Sequence, residues 1–368
     1  MHILFAGGGT AGHINPALAV AGYIKEKHPD AKISYIGTAN KLEAKLVPEK
    51  GYDFYSIEVQ GFKRKLTPSG IIHNVKAVYN AVVASIKAEK LLKGLKPDVV
   101  VGTGGYVSGP VLKAAAKLKI KTAIHEQNAY PGVTNKMLSK SVDRVMLAMP
   151  EAESRFSLNK KPDITGNPVR SELKNMSKEK AKEILGFDDK PVILSFGGSL
   201  GARPINEAVS ELIRYYNGKN GHYHIHGTGK SGYKSMLDSL NDIKIDSNVD
   251  IREYISDMDV CMAAADLIIC RAGAITLSEL AVCRKPSILI PSPYVAENHQ
   301  FHNAMTLKNV GAAEVIEEKD LSGELLIRTV ESIIGDKSKL EQMSKNAEKV
   351  AIDDANKRIY NIIIELMS

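Results

Sequence analysis

This chain of 368 residues has no tryptophan, only three cysteines, and no apolar run approaching the length of a bilayer span. A span needs about 20 consecutive apolar residues, so no transmembrane helix is expected. The apolar opening, MHILFA, has no basic leader, and Gly, His, Asn and Pro interrupt it before a secretory core forms, so it does not read as a signal peptide. Cys261, Cys270 and Cys283 lie in one apolar region without a C-x-x-C spacing. That pattern reads as buried reduced thiols of a cytosolic protein, not as a disulfide framework or a metal site. With no tryptophan, scattered lysines and no recognition motif, nucleic acid is not an expected partner.

What is present is a globular composition, 44% apolar and 25% charged, on a chain long enough for two domains. The charge is uneven. Residues 1–170 hold 25 Lys and Arg against 13 Asp and Glu, a net of +12, which leaves −5 for the remainder of a chain whose total is +7. A basic first half beside an acidic second half suggests that only the first faces an anionic surface, although lysines also serve simply as a solvated coat.

Short apolar and β-branched runs alternate with amphipathic stretches. HILFA, KISYI, DVVVG, TAIHE and RVMLA form one series, and PVILSF, HYHIHG, VDIREYI, LIICR and SILIP a second. Both read as buried parallel strands joined by crossover helices, so each half is expected to be a Rossmann-like α/β sheet. The joint is placed in PDITGNPVR, residues 162–170, where Pro, Gly and Asn-Pro break the periodicity. The last stretch is helical in spacing with no strand after it.

Three glycine turns follow predicted strands: FAGGGTAGH, VVGTGGYVSGP and SFGGSLGAR. A strand, a glycine turn and a helix together aim backbone N–H groups at a polar ligand, and ligands of open α/β sheets bind at the C-terminal strand ends. The first turn can be forced into G-x-G-x-x-G, but the second strand ends in Gly37-Thr38 instead of an acid, which disfavours an NAD-dependent oxidoreductase. His13 stands at the lip of that turn, with Asn15 read as the helix N-cap and Pro16 as the first helical residue.

In the second half, CRAGAITLSEL predicts a helix beginning near Ala274, Ile275 and Thr276, whose free N–H groups suit a pyrophosphate. Glu279, one turn on, can accept from two ribose hydroxyls. Equally, Thr276-x-x-Glu279 is a capping box serving its own helix. Asn298, His299, Gln300, His302 and Asn303 precede another apolar helix and suit sugar hydroxyls; Asn298 can also be an N-cap, and the two histidines alone make a poor metal site.

The ordered set GGGTAGHINPALAVA, GTGGYVSGP, HEQNAYPG, GNPVR, SFGGSLGARPIN, CRAGAITLSEL and HQFHNA resembles the MurG family, the bacterial transferases that move N-acetylglucosamine (GlcNAc) from UDP-GlcNAc to undecaprenyl-pyrophosphoryl-MurNAc-pentapeptide. The resemblance implies the GT-B fold, two Rossmann-like parallel-sheet domains facing across a cleft. Residues 1–165 would face acceptor and membrane, 166–347 would bind UDP-GlcNAc, and a C-terminal helix at about 348–368 would pack back on the first domain.

Carried over by motif, the donor contacts are Thr10, Ala11, Gly12, Asn128, Arg170, Ser199, Asn206, the main chain of Ile255, Ala274, Ile275, Thr276, Glu279 and Gln300. The acceptor side takes Gly104, Gly105 and Tyr106. His13 is the candidate base, with Glu126 as its rival, since an imidazole ionises close to working pH. The resemblance implies no cofactor and no obligatory metal. It places the protein peripherally on the cytoplasmic face of the cell membrane, with anionic lipid and other cell-wall synthesis proteins as partners. Ala11 stands where many members have glycine, Leu200 where glutamine is common, and His299 where some have a second glutamine.

Lys63, Arg64 and Lys65 beside Ile71 and Ile72 suit docking on anionic lipid; the same region also reads as a helix burying Val75, Val78, Val82 and Ile86 in the core. Rival functions are a transferase acting on another lipid such as diacylglycerol, and a nucleotide-sugar epimerase, which needs no acceptor.

Overall fold

A computed structural model describes residues 1–59, 68–158, 160–170, 173 and 176–368, and for 68–79 and 81 the backbone only. The chain divides into two compact units, Met1–Val169 with Asp354–Ser368, and Arg170–Asp353.

Unit 1 is built on seven parallel strands: β1 (His2–Gly7), β2 (Lys32–Gly37), β3 (Asp53–Ser56), β4 (Val99–Gly104), β5 (Lys121–Glu126), β6 (Arg144–Leu147) and β7 (Asp163–Ile164), in the spatial order 3-2-1-4-5-6-7. The central strands are buried on both faces, which is why their sequences are continuous apolar runs. Alternate residues serve opposite cores. Ile3, Phe5, Val99 and Val101 pack with the helices Ala11–Lys27 and Ala355–Met367, while Leu4, Ala6, Val100 and Ile124 share a core with Ala84, Ala88 and Leu92 of the helix Pro68–Leu95. The C-terminal helix is held by Ile359, Ile362, Ile363 and Leu366, at a spacing that lines one face. Each such side chain contributes about 1.5–3 kcal/mol on burial, enough to make the returning segment an integral part of this unit.

Unit 2 repeats the plan with β8 (Val192–Phe196), β9 (Tyr223–Gly227), β10 (Val249–Arg252), β11 (Leu267–Cys270), β12 (Ser287–Leu289) and β13 (Ala313–Val315), ordered 10-9-8-11-12-13 and all parallel. Its helix Arg203–Tyr216 buries Ile205, Ala208, Val209, Leu212 and Ile213, a clean amphipathic stripe that covers one sheet face.

In each sheet the strand order reverses once, between β1 and β4 in the first and between β8 and β11 in the second. Loops leaving the C-terminal ends of two such strands diverge to opposite faces and open a crevice. The glycine turns flank these two points.

Candidate active site

In unit 1 the helix after β1 begins at Ala11, with Thr10 as its N-cap. This corrects the expected start at Asn15 and Pro16. Pro16 lies inside the helix, and His13 occupies its first turn, its N–H donating to the Thr10 carbonyl at 3.1 Å. The methyl of Ala11 therefore sits at an exposed, ordinary helical position and strains nothing.

The turns after β1 and β4 lie against each other. A Cβ on Gly105, at φ +79°, would stand 2.3 Å from the Gly8 carbonyl oxygen, and one on Gly104, at φ +108°, would stand 2.7 Å from Nδ1 of His13. Glycine is required at both places by the backbone angle as well as by space. The buried hydroxyl of Ser108 donates to Ala6 and Gly104 carbonyls, pinning the second turn to the first strand. On the other side, the carboxylate of Glu43, fully buried, accepts from Gly9 N–H at 3.1 Å and from Thr38 N–H at 3.0 Å.

At the end of β5, Glu126 is 1% exposed and accepts four donors, all at 2.8–3.0 Å: the N–H and side-chain amide of Asn128 on Oε1, and the N–H of Gly132 and side-chain amide of Asn135 on Oε2. Its carboxylate organises the HEQN turn and the start of the helix Val133–Leu138. Gln127, also buried, lies 3.0 Å from His13 Nδ1 through Oε1.

In unit 2, the helix Ala274–Val282 starts where the sequence placed it, but Gly273 is its N-cap and no side chain caps it. The capping-box reading of Thr276 and Glu279 therefore fails. Thr276 is already inside the helix, and Glu279 instead accepts from Arg170 Nε at 3.1 Å. Burial pushes the Glu279 carboxyl above its ordinary range, and the neighbouring guanidinium partly opposes this.

The SFGGSLGAR turn holds Gly198 and Gly201 at φ +93° and +78°, and a Cβ on Gly201 would stand 2.1 Å from the Thr228 carbonyl. Asn206, in the first turn of the helix Arg203–Tyr216, donates to that same carbonyl at 3.0 Å, bracing the loops after β8 and β9. Ser199 is exposed, and Leu200 projects with 80% of its surface open. The Ile255 side chain is buried over Gly227. Gln300 uses Oε1 to accept the Ser292 N–H at 2.9 Å, which holds the PSPYV loop. Asn298 does stand at the N-cap of the helix His299–Asn309, in the left-handed region at φ +49°, yet makes no side-chain cap.

Comparison with known proteins fits this layout. Models of the glycosyltransferase family 28 N-terminal and C-terminal domains match residues 3–147 and 192–359. The UDP-N-acetylglucosamine--N-acetylmuramyl-(pentapeptide) pyrophosphoryl-undecaprenol N-acetylglucosamine transferase of Acetivibrio thermocellus is 49% identical over all of this chain and 98% of its own length. The corresponding transferase of Ruminiclostridium cellulolyticum is 46% identical, with both chains covered in full. The crystal structure of Acinetobacter baumannii MurG superposes with a TM-score of 0.81 at 29% identity, over 99% of each chain. The chain belongs to the MurG family of glycosyltransferases.

Within the MurG framework, unit 1 brings together Thr10, Ala11, Gly12, His13, Gly104 and Gly105 at its switch point, with Tyr106 exposed beside them and Asn128 on the Glu126 turn. Unit 2 joins Arg170 to Glu279, which lies in the second turn of the helix Ala274–Val282. Lys63, Arg64 and Lys65 lie outside the described residues, as do the side chains of Ile71 and Ile72. The core reading of Val82 and Ile86 is overturned: they are 56% and 64% exposed, because Ala84, Ala88 and Leu92 form the buried stripe.

Sequence reasoning missed Glu43, Gln127 and Arg271, the last paired with Glu318 and donating to the Ile290 carbonyl. It also passed over Asp257-Met258-Asp259, an Asp-x-Asp spacing of the kind that can hold a divalent cation. Asp257 is engaged instead by Arg252 Nη1 at 2.7 Å, and among the described residues no three His, Cys, Asp or Glu side chains cluster as a metal site.

Proposed function

We propose that this protein transfers GlcNAc from UDP-GlcNAc to the C4 hydroxyl of undecaprenyl-pyrophosphoryl-MurNAc-pentapeptide, with inversion. The observation that carries this reading is the full-length likeness, at 49% identity, to a transferase whose name states both the sugar and the lipid-linked muramyl acceptor. The acceptor oxygen bonds to the anomeric carbon as the bond to the UDP oxygen breaks on the opposite face. The hydroxyl proton passes to a base, and UDP leaves with the bonding pair.

His13 suits the base. Its Nδ1 is occupied by Gln127, leaving Nε2 as the nitrogen to receive a proton, and glycines at 104 and 105 give a substrate close access. The rival, Glu126, already spends its oxygens on four donors. On the donor, Glu279 accepts from the ribose hydroxyls, and Arg170 with the N-terminus of the helix Ala274–Val282 takes up the charge developing on the pyrophosphate. Thr276 and Gln300 serve the diphosphate and sugar, and the Ile255 main chain the uracil.

Helix ends and guanidinium supply that charge stabilisation without an ion. Turnover is therefore expected to be unchanged in excess EDTA; loss of activity restored by Mg²⁺ would refute this account of the leaving group. The defining assay offers labelled UDP-GlcNAc with the muramyl lipid and follows the disaccharide lipid and released UDP. Transfer to diacylglycerol alone, or epimerisation without acceptor, would favour a rival.

Among the described residues no helix is long and apolar enough to cross a membrane. We place the protein peripherally on the cytoplasmic leaflet through the basic stretch 63–65 and the outward face of the helix Pro68–Leu95. A Val82→Glu/Ile86→Glu pair should weaken partition onto anionic vesicles by about 10-fold or more, given about 1.5–3 kcal/mol for each buried aliphatic side chain. Turnover of a soluble acceptor should stay within two-fold. Charge reversal at 63–65 should act the same way, at about 1 kcal/mol per cation. Unchanged partition in both variants would remove this face from the model of docking.

A further inference from the structure

We propose that Gln127 is a positioning residue that sets the tautomer of His13, through an uncharged hydrogen-bond relay running from His13 through Gln127 and His125 to the Gly166 carbonyl. This rests on the reading of His13 as the base. The direction of every link follows from a main-chain carbonyl, which can only accept. His125 Nε2 lies 3.0 Å from the Gly166 oxygen and so carries the proton. Burial lowers the pKa of His125 and keeps it neutral, so its Nδ1 is an acceptor.

Gln127 Nε2 lies 2.9 Å from the His125 carbonyl and 3.0 Å from His125 Nδ1. The amide must therefore point its NH₂ group at His125, which turns Oε1 towards His13. Oε1 accepts from His13 Nδ1 at 3.0 Å, so Nδ1 holds the proton and Nε2 carries the lone pair. Gln127 is itself held by the side-chain amide of Asn167, which donates to its main-chain carbonyl at 3.1 Å. Gln127 and His125 are almost wholly enclosed, so water does not compete for these bonds.

An amide in this place orients the ring as a carboxylate would, but adds no charge to draw a proton onto it.

Two measurements test this. In the wild-type protein labelled with ¹⁵N-histidine, long-range ¹H–¹⁵N correlation reads each ring's tautomer directly, the His13 signal being identified by its loss in His13→Ala. The expected pattern is Nδ1–H for His13 and Nε2–H for His125. Finding His13 with its proton on Nε2 overturns the proposal, whatever the kinetics. Secondly, Gln127→Met, which keeps the volume and removes the acceptor, should lower kcat about 30-fold while both substrate KM values stay within about three-fold. A kcat within two-fold of wild type overturns it too. If that variant does not fold, the tautomer pattern of the wild-type protein decides alone. The relay and the base assignment fail separately, because the tautomer is read without turnover and only an active His13→Ala enzyme would refute the base.

Discussion

His13→Ala is expected to lower kcat about 10³-fold, with the KM for UDP-GlcNAc changed by no more than a few-fold. Removing a general base forfeits typically 10²–10⁴ in the chemical step. The side chain caps nothing and its loss strips only Gln127 Oε1 of a donor, so the melting temperature should fall by much less than in a variant that leaves several buried groups unpaired. Glu126→Ala should behave in the opposite way. It strips the acceptor from four donors, each costing about 1–3 kcal/mol when left unsatisfied, and should be read first as a lower melting temperature. A Glu126→Ala enzyme that melts normally yet loses 10³-fold, beside a His13→Ala enzyme that loses only a few-fold, would exchange the two roles.

Glu279→Gln should raise the KM for UDP-GlcNAc by about 10- to 100-fold, since hydrogen bonds to a charged group contribute about 1.5–3 kcal/mol. The loss should largely vanish when wild type and variant are compared on a donor lacking the ribose hydroxyls. Stability should move the other way. Burial raises the Glu279 pKa in the folded state, so the folded protein binds more protons than the unfolded chain between the ordinary carboxylate value and the raised one. Unfolding free energy then falls as pH rises through that window, and the ionised side chain is a net cost at neutral pH. The amide removes that cost, so the variant should melt no lower than its parent at pH 7 and gain nothing below pH 4. A marked drop in melting temperature with unchanged donor KM would make Glu279 a structural partner of Arg170 and not a ribose ligand.

The elements easiest to read in the sequence were those whose composition reports burial on both faces. Ten strands, among them HILFA, DVVVG, PVILSF and LIIC, were legible because a central parallel strand must be apolar throughout. Strands β3, β7 and β13 were not, being short and at or next to sheet edges, with half-exposed or charged residues. For the helix Pro68–Leu95 the sequence left two readings open, and the one that buried Val82 and Ile86 fails although these are the more apolar residues. Alanines at 84 and 88 face inward where close packing against a neighbouring helix leaves room for little else.

The glycine turns, and with them the two switch points, follow from local steric need and stand in the sequence for anyone to read. So does the family, through seven motifs in order. Which polar atoms meet was decided elsewhere. His13 finds Gln127 across 114 positions, and Arg170 finds Glu279 across 109. Neither pair has a spacing that local geometry could reveal. His13 and Gln127 meet because parallel strands deliver all their C-terminal loops to one edge of the sheet, and only the strand order settles which of those loops become neighbours; Arg170, the first residue of unit 2, meets Glu279 through the packing of that unit.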